Sequence, residues 1–303
     1  MNSSIYGYLT VFHAIAEQGG IAAASRKLEI APPSVSQSLK LLERHIGLPL
    51  FHRTTRKMEL TEAGQRLLDS TKQLVQSLEY AVESVQDLGE VPTGTVRITL
   101  SRFAYQLILK PHFAEFCRIY PHIQLEISLY DGTVDILQQS FDLGIRFGDK
   151  VEPNMVARKL FPPFAEGLYV SPDYAAQYGI PHTPQELPNH CLIGYRFITA
   201  NRILPLILQQ NGQDVTVEME SRLIANDIDV MADGVRAGLG IGRIFTLIHR
   251  LLPDSERFIP VLQEYWKHYP PVYLYYPQHS QKAKRIQVLI DFLSQKLDEN
   301  GKP

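Results

Sequence analysis

Residues 31–43 read APPSVSQSLKLLE, in which two prolines precede a run of hydroxyl, amide and apolar side chains. Pro32 and Pro33 predict a helix start, because the first N–H groups of a helix have no partner within it and proline brings none. The apolar residues that follow recur at i, i+4, i+7 and i+11, which predicts one buried stripe. This stripe consists of Val35, Leu39, Leu42 and Ile46. The opposite face carries Pro33, Gln37, Lys40 and Arg44, flanked by Ser34 and Ser36.

Two shorter helices are predicted before this one. Residues 5–18 place apolar side chains on one face and end at two glycines, and residues 21–28 form a second helix with Ala24 and Leu28 inward. About three residues then lead into the helix at Pro32. Two helices in this arrangement predict a helix-turn-helix, whose second helix enters the major groove of DNA. The alternative is an ordinary helix with a solvated face.

The polar face of the third helix is suited to contact with base edges. Ser34 and Ser36 are small enough to allow close approach, and Gln37 can form two hydrogen bonds with adenine. Lys40 and Pro33 lie on the same face. We therefore predict that these five side chains contact DNA.

A basic segment follows the third helix. Residues 48–64 read LPLFHRTTRKMELTEAG, two short apolar-alternating pieces around a cationic tip. This pattern predicts a β-ribbon wing, with Arg53, Arg56 and Lys57 along the phosphate backbone. The alternative for the tip is a solvated turn.

The formal net charge of the chain is −2, but the charged residues are distributed unevenly along it. Residues 1–60 hold seven basic and four acidic residues, residues 61–90 hold two and six, and the remainder holds 21 and 22. A small basic module therefore precedes an acidic segment and a large, nearly neutral part. At 303 residues, with 45% hydrophobic and 20% charged residues, the chain has the composition of a soluble protein with two or three domains.

Several missing patterns bear on compartment and chemistry. The sequence shows no signal-peptide pattern, and no apolar run reaches the ~20 residues of a membrane helix. Cys117 and Cys191 are the only cysteines, and both are predicted to be buried free thiols, which fits a cytoplasmic protein. No histidine or cysteine spacing is typical of a metal site, so neither a metal nor a cofactor is predicted.

Residues 60–88 carry a heptad pattern. Apolar residues recur every seven positions from Leu60, a second set interleaves between them, and glycine and proline are absent from 65 to 88. This pattern predicts a coiled-coil linker helix that pairs two copies of the chain. The predicted seam residues include Leu67, Leu74, Leu78 and Val85. The alternative is an amphipathic helix packed on its own domain.

From residue 95 onward, strands and helices alternate, which predicts βαβ units and a parallel sheet. Strands are predicted at 95–100, 123–130 and 141–147, with helices at 103–120 and 134–140 between them. The remaining predicted segments are strands at 156–161, 167–171, 191–196, 221–226, 239–244 and 272–277, and helices at 227–238 and 282–297.

Ligands of open α/β sheets lie beyond the carboxyl ends of the strands. The side chains at these ends that we expect in a ligand site are Ser101, Arg102, Phe103, Asp131, Arg146, Tyr195, Phe197 and Asn226. Arginine suits a carboxylate or phosphate and phenylalanine suits an aromatic ring, so a small anionic or polar ligand is predicted. The alternative is that Arg102, Arg146 and Arg196 form structural ion pairs with Asp131 and Asp227, or lie in solvent.

The segment from Ala22 to Gly64 resembles the N-terminal signature of LysR-type transcriptional regulators. The matching elements are the alanine-rich second helix, PxxVS in the third helix, LExxxGxxLFxR and the closing LTEAG. Members commonly have Ser-Gln where this chain has Ala31-Pro32, and Gln where Ser38 stands, so base preference is not carried over. The family's DNA contacts correspond to Pro33, Ser34, Ser36, Gln37, Arg53 and Arg56.

The resemblance implies three parts of an α/β protein. These are an N-terminal all-α winged helix-turn-helix domain over 1–60, a linker helix over 61–91 and a periplasmic-binding-protein-like regulatory domain over 92–303. The regulatory domain would contain two α/β subdomains, the first from 92–162 with 268–303 and the second from 163–267. A cleft between the subdomains would bind an effector.

The same resemblance implies the partners of the protein. It predicts double-stranded operator DNA, a small-molecule effector and a second copy of the chain in a dimer. It further implies a tetramer built from two dimers, with RNA polymerase as a candidate additional partner. No catalytic residue and no membrane partner are predicted.

Two other classes of protein remain to be weighed. For an enzyme on an α/β fold, the sequence contains no GxSxG, GxxxxGKS/T or GxGxxG motif. The glycine run GLGIGR, residues 238–243, lies before and inside a predicted strand, whereas a dinucleotide-binding loop follows one. For a solute-binding transport protein, the helix-turn-helix pattern argues against the assignment.

Overall fold

A computed structural model of the chain describes residues 4–53, 58–86, 91–151, 155–278, 280 and 283–300. The chain divides into two compact units, residues 1–88 and residues 89–303. None of the helices among the described residues is long and apolar enough to span a membrane.

The N-terminal unit is a small helical bundle with a β-ribbon. Its elements are α1 (Ile5–Gln18), α2 (Ile21–Leu28), α3 (Pro32–Ile46), β1 (Phe51–Arg53), β2 (Met58–Leu60) and α4 (Glu62–Gln86). The predicted bounds of α1 and α2 and the predicted start of α3 at Pro32 are confirmed. Gly19 at φ 72° ends α1, and Gly47 at φ 80° ends α3, which is a left-handed conformation that glycine adopts without strain.

The core of this unit forms where the first three helices meet. Phe12 and Ile15 of α1, Ala24 of α2, and Val35 and Leu39 of α3 are fully buried. The predicted α3 stripe is therefore correct at its start and centre. It is wrong at its end, where Ile46 is 37% exposed, because α3 ends there, one turn beyond Leu42.

The β-ribbon joins α3 to α4. β1 and β2 pair antiparallel, with Phe51 opposite Leu60 and Arg53 opposite Met58. The Thr61 hydroxyl donates to the Pro49 carbonyl (2.8 Å) and accepts the N–H of Gly64 (3.0 Å), which fixes the start of α4 against the ribbon. The predicted contacts of Arg56 and Lys57, and the side chain of Arg53, lie outside the described residues.

Helix α4 packs on its own unit with one end and exposes apolar side chains further along. Leu67, a predicted seam residue, packs against the core of the N-terminal unit. Leu74 and Leu78 are 68% and 42% exposed, and Val82 and Val85 are 53% and 65% exposed. Three of the four predicted seam residues therefore lie in an exposed apolar row, which we call the α4 row: Leu74, Leu78, Val82 and Val85.

His13 joins the helical bundle to α4. Its Nε2 lies 2.8 Å from the hydroxyl of Thr71 on α4. Burial, with the nearby charge of Lys72 adding to it, lowers the pKa of His13 from 6.5 to about 4. The folded chain therefore keeps His13 neutral over a pH range in which an unfolded histidine is protonated.

The free energy of unfolding is expected to fall as the pH is lowered from 6.5 to 4, because the unfolded state then binds more protons at His13. With solvent screening included, we expect a contribution on the order of 1–2 kcal/mol. Urea unfolding followed by circular dichroism at pH 7 and pH 4.5 measures it, comparing His13→Gln with the exposed control His45→Gln. The same pH dependence in both variants would contradict the assignment.

The C-terminal unit is an α/β structure. Its strands are β3 (Gly94–Leu100), β4 (Ile123–Leu129), β5 (Leu143–Phe147), β6 (Met155–Phe161), β7 (Phe164–Val170), β8 (Cys191–Phe197), β9 (Arg202–Leu204), β10 (Leu206–Gln210), β11 (Gln213–Val217), β12 (Glu220–Ala225), β13 (Gly242–Phe245), β14 (Ile259–Val261), β15 (Lys267–Tyr269) and β16 (Val272–Pro277). Its α-helices are α5 (Arg102–Ala104), α6 (Phe113–Ile119), α7 (Pro172–Tyr178), α8 (Ile228–Arg236), α9 (Thr246–His249) and α10 (Lys284–Asn300).

Two groups of strands form two subdomains within this unit. The first contains the sheet β4-β3-β5-β16-β6, and the second contains β13-β7-β14, with β15 also on β7, together with β12-β8-β9 and the hairpin β10-β11. The chain passes from β6 to β7 at Pro162-Pro163 and returns from β15 to β16 at Pro270-Pro271. Proline supplies no N–H to a strand ladder, which suits these crossover positions.

The sheets are mixed, so the prediction of a parallel sheet is only partly correct. β3 runs parallel to β4 and β5, and β12 runs parallel to β8. β16 is antiparallel to β5 and β6, since it returns from the second subdomain in the opposite direction. β7 is antiparallel to β13, β14 and β15.

Two segments that were predicted to be continuous helices have a different backbone structure. The helix expected at 103–120 is divided into α5, a π-helical segment at Tyr105–Leu109 and α6, with Pro111 interrupting the backbone hydrogen bonding. The segment 134–140 is not helical. The Asp135 carboxylate accepts the N–H of Gln138, and Ser140 has φ 57°, which favours turns over a helix.

The prediction of two buried thiols is also wrong. Cys117 is exposed and Cys191 is half-buried. On the short helix α6, Phe116 occupies the buried position, so the next residue points away from the core.

Candidate functional site

The N-terminal unit presents an exposed polar face on α3. Pro33, Ser34, Gln37 and Lys40 are exposed, and Ser36 is half-buried. The face is free because Val35 and Leu39 turn the other side of α3 into the core. The early helix start at Pro32 places the small side chains of Ser34 and Ser36 in the first turns, where a groove-binding helix meets base edges.

A cleft separates the two subdomains of the C-terminal unit. It encloses a cavity of about 300 Å³, at the lower end of the range for small-molecule sites. The first subdomain lines it from the ends of β3 and β5, and the second lines it from β7, β8, β13 and β15. Strand ends from both sides therefore converge on one enclosed space.

Most of the predicted ligand-site residues line this cleft. They are Ser101, Phe103, Asp131, Arg146, Tyr195 and Phe197. The Ser101 hydroxyl accepts the N–H of Ala104 (3.2 Å), so Ser101 caps the short helix α5. Arg102 and Asn226 are not part of this lining, so the structure does not bring them together with the other predicted residues.

Arg102 instead joins the two subdomains beside the cleft. Its Nε and Nη2 donate to Asp229 Oδ2 at 3.0 and 2.5 Å, and Gln106 donates to Asp229 Oδ1 at 2.5 Å. Asp227 caps the same helix, α8, by accepting the N–H groups of Asp229 and Val230. An ion pair was the alternative we had left open for Arg102, although its partner is neither of the two aspartates named from the sequence.

A second contact joins the subdomains through residues that follow β4 and β8. The N–H of Thr133 donates to the Thr199 hydroxyl at 2.8 Å. A Cβ added at Gly132 would lie 2.4 Å from the same oxygen, so only glycine allows this approach. Arg196 donates to Asn201 and lies outside the lining.

The sequence reasoning missed several lining residues, chiefly Glu166 of β7, Arg243 of β13 and Tyr269 of β15. Glu166 and Arg243 are both buried. A sequence signal for both existed, because charged residues inside apolar strand segments are rarely buried without a partner. Lys150 and Arg202 add further positive charge to the lining.

Aromatic rings from both subdomains pack together against the cleft. Phe103 and Phe147 of the first subdomain are stacked with centroids 5.6 Å apart. Phe103 contacts Phe245 of the second subdomain at 4.9 Å, and Tyr269 contacts Phe147 at 5.4 Å. All four rings line the cleft, so it offers an apolar, flat-sided surface next to its charged groups.

The charged groups of the cleft are perturbed by burial. Burial raises the pKa of Asp131 above its ordinary value, although the backbone N–H of Arg102 donates to its carboxylate at 3.0 Å. Burial lowers the pKa of Arg146 from its ordinary value, while Arg146 stays cationic at neutral pH. Among the described residues, no group of three or more His, Cys, Asp or Glu side chains is arranged to hold a metal ion.

Family models match both units of the chain. The bacterial regulatory helix-turn-helix protein, lysR family, matches residues 7–65, and the LysR substrate binding domain matches residues 89–298. The transcriptional regulator PgrR of Escherichia coli K12 is 29% identical over 95% of this chain and 96% of its own length. A putative transcriptional regulator of Pseudomonas aeruginosa is 30% identical, covering 94% of this chain and 93% of its own.

A solved structure shows the same architecture. CrgA, a LysR-type transcriptional regulator from Neisseria meningitidis, is 25% identical with a TM-score of 0.60, covering 98% of this chain and 99% of its own. The fold and the matches define a helix-turn-helix transcriptional regulator with a substrate-binding-type regulatory domain. The chain belongs to the LysR family.

Proposed function

We propose that this LysR-type regulator binds operator DNA through α3 and the β-ribbon, and that a small molecule in the cleft controls this activity. The observation that carries the proposal is the enclosed cleft, which is lined by charged and aromatic side chains from both subdomains. A ligand that contacts both sides favours one subdomain arrangement over another. The proposed role is regulation without catalysis, in the cytoplasm.

Thermal-shift screening of the full chain against small metabolites tests the effector role. A compound that raises the melting temperature should also change operator affinity, because both effects follow from one preferred conformation. A compound that stabilises the chain without any change in DNA binding or transcription would count against the proposal.

The α4 row supports assembly through the linker helix. Four exposed apolar side chains at helical spacing present a continuous surface that water solvates poorly. We propose that two copies of α4 pair through this row, and that dimers associate further into tetramers. RNA polymerase is a further proposed partner at the promoter.

Gln37→Ala is expected to reduce discrimination at one base position by roughly 1–3 kcal/mol, because the amide contacts a base edge.

Arg53→Ala is expected to weaken binding to all DNA sequences about equally, because arginine on the ribbon contacts phosphate. The slope of log affinity against log salt concentration should fall by about one unit. Titrations at several salt concentrations, with matched and mismatched duplexes, measure both effects.

The control for Gln37→Ala is Gln65→Ala, which removes an exposed glutamine from α4. It should leave base preference unchanged. A change of base preference with Arg53→Ala but not with Gln37→Ala would show that the orientation of helix and ribbon is reversed.

A further inference from the structure

Arg243 is held in the wall of the cleft with unused hydrogen-bonding capacity. Its side chain is 4% exposed, and its Nη1 donates to the carbonyl of Pro205 at 2.7 Å. Its Nε has no hydrogen-bond partner among the residues that the structure describes. A buried guanidinium that is not fully hydrogen-bonded is costly, and Arg243 lines the cleft, so an anionic ligand there would stabilise it.

Glu166 is the acidic neighbour of Arg243, but the two do not form a close pair. The shortest distance, from Arg243 Nε to Glu166 Oε1, is 3.7 Å, and the Tyr269 hydroxyl lies 3.5 Å from Glu166 Oε2. Both distances are too long for strong hydrogen bonds. The Glu166 side chain is 10% exposed and lines the cleft, so its carboxylate can accept a hydrogen bond from a ligand there.

Arg146 faces the cleft from the other subdomain. Its Nη atoms donate to the carbonyls of Ile145 and Tyr130 and to the Thr99 hydroxyl, at 2.8, 3.0 and 3.1 Å. These acceptors are neutral, and the buried Nε has no hydrogen-bond partner within the described part of the chain. The cleft therefore holds a buried cation from each subdomain, both able to stabilise a negatively charged ligand.

The net charge of the lining favours a monoanion. The basic lining residues are Arg146, Lys150, Arg202 and Arg243, and the acidic ones are Asp131, Asp149 and Glu166. One negative charge on the ligand balances this excess of one positive charge. A zwitterion has no net charge and leaves this excess in place.

The neighbouring side chains of Arg243 and Glu166 favour a ligand that carries a hydrogen-bond acceptor next to a hydrogen-bond donor. In an α-hydroxycarboxylate, the hydroxyl and a carboxylate oxygen lie about 2.7 Å apart, close to hydrogen-bond distance. Such a pair can lie alongside both side chains, with its carboxylate oxygen accepting from the Arg243 guanidinium and its hydroxyl donating to the Glu166 carboxylate. The rings of Phe103, Phe147 and Phe245 would contact an apolar substituent.

On the basis of the proposed effector function, we propose that the cleft binds a small α-hydroxycarboxylate with an aromatic substituent. The guanidinium groups of Arg243 and Arg146 hold its carboxylate, and its hydroxyl donates to Glu166. The volume of about 300 Å³ corresponds to roughly ten water molecules, which admits one ring with a short acidic side chain.

Calorimetric titration of the full-length protein with four matched probes tests this class. Mandelate carries the ring, the hydroxyl and the carboxylate. Phenylacetate lacks the hydroxyl, mandelamide lacks the charge, and phenylglycine replaces the hydroxyl by an ammonium group. Mandelate should bind at least about 10-fold more tightly than each of the others, the effect of one charge-assisted hydrogen bond.

The double variant Arg243→Met/Glu166→Gln tests the residues. Changing both partners avoids leaving one buried charge alone, so the fold is expected to survive, which circular dichroism checks. The preference for mandelate over mandelamide should fall by about threefold or more, with the remainder due to Arg146, and mandelamide affinity should change little. The control Arg196→Met removes an arginine that donates to Asn201 outside the lining and should keep the full preference.

The outcomes distinguish a failure of the proposed ligand class from a failure of the proposed effector function. Equal affinity for mandelate and mandelamide, tighter binding of phenylglycine, or no binding of any probe overturns the ligand class. If a different metabolite still stabilises the protein and alters its DNA binding, the effector function stands without this class. If mandelate binds with the predicted preference and DNA binding does not change, the ligand class stands and the effector function fails.

Discussion

Replacing Leu74 and Leu78 by aspartate is expected to dissociate the proposed dimer and to remove high-affinity operator binding. Both side chains belong to the exposed α4 row, and pairing two copies would bury four carboxylates in an apolar seam. Burial costs several kcal/mol for each ion, so the dimer dissociation constant should rise on the order of 1000-fold or more. Operator binding falls with it, because two half-sites require two DNA-binding units at fixed spacing.

Sedimentation velocity and gel-shift titration measure the two consequences. The matched control compares Leu74→Asp with Gln73→Asp, which adds the same charge at the adjacent exposed position of α4. Only Leu74→Asp should weaken association. Unchanged sedimentation of the Leu74→Asp/Leu78→Asp protein would contradict pairing through the α4 row.

The second large effect is expected in the cleft. Ser101→Ala combined with Arg146→Met should abolish the response to effector while leaving operator affinity without effector within about twofold. Removing a buried charge that contacts a ligand costs roughly 2–5 kcal/mol, so effector affinity should fall by a factor of about 30 or more. Both residues line the cleft of the C-terminal unit, whereas the proposed DNA contacts belong to the other unit.

Operator titrations with and without a stabilising metabolite from the thermal-shift screen measure this uncoupling. Arg196→Met serves as the control, since Arg196 donates to Asn201 and does not line the cleft. Equal loss of operator binding and of effector response would mean that Arg146 supports the fold, through its contacts with Thr99 and Tyr130, rather than the ligand.

Local patterns predicted the N-terminal unit closely. Proline at the start of α3, glycine after α1 and α3, and the spacing of Val35 and Leu39 all act within a few residues. Backbone sterics and helical periodicity at this range are properties of the sequence itself. Ile46 was misplaced because its burial depends on where the core cluster ends, which spacing does not encode.

The C-terminal unit was predicted less well because its decisive contacts join distant residues. The segment 134–140 has apolar residues that fit a helix, but turns stabilised by Asp135 replace it. The direction of β16 depends on the chain returning from the second subdomain after Pro271. Neither feature is determined within a short window of sequence.

Some residues of the candidate cleft were also predicted from the sequence, and others were not. Strand ends predicted Ser101, Asp131, Arg146 and Tyr195, because parallel strands bring their carboxyl ends to one edge. The pairing of Arg102 with Asp229 was not predicted, because Asp229 lies 127 residues away in the other subdomain. Glu166, Arg243 and Tyr269 were missed because they come from antiparallel strands, for which the strand-end rule makes no prediction.

Selection of random-sequence duplex DNA by the full-length protein, followed by sequencing, tests the central claim most directly. The account predicts enrichment of a two-fold symmetric motif, with half-sites whose centres are separated by about one helical turn, 10–10.5 base pairs, or a multiple of it. Gln37→Ala should relax one position in each half-site symmetrically. No enrichment by the wild-type protein, or enrichment of a single asymmetric half-site, would contradict the account.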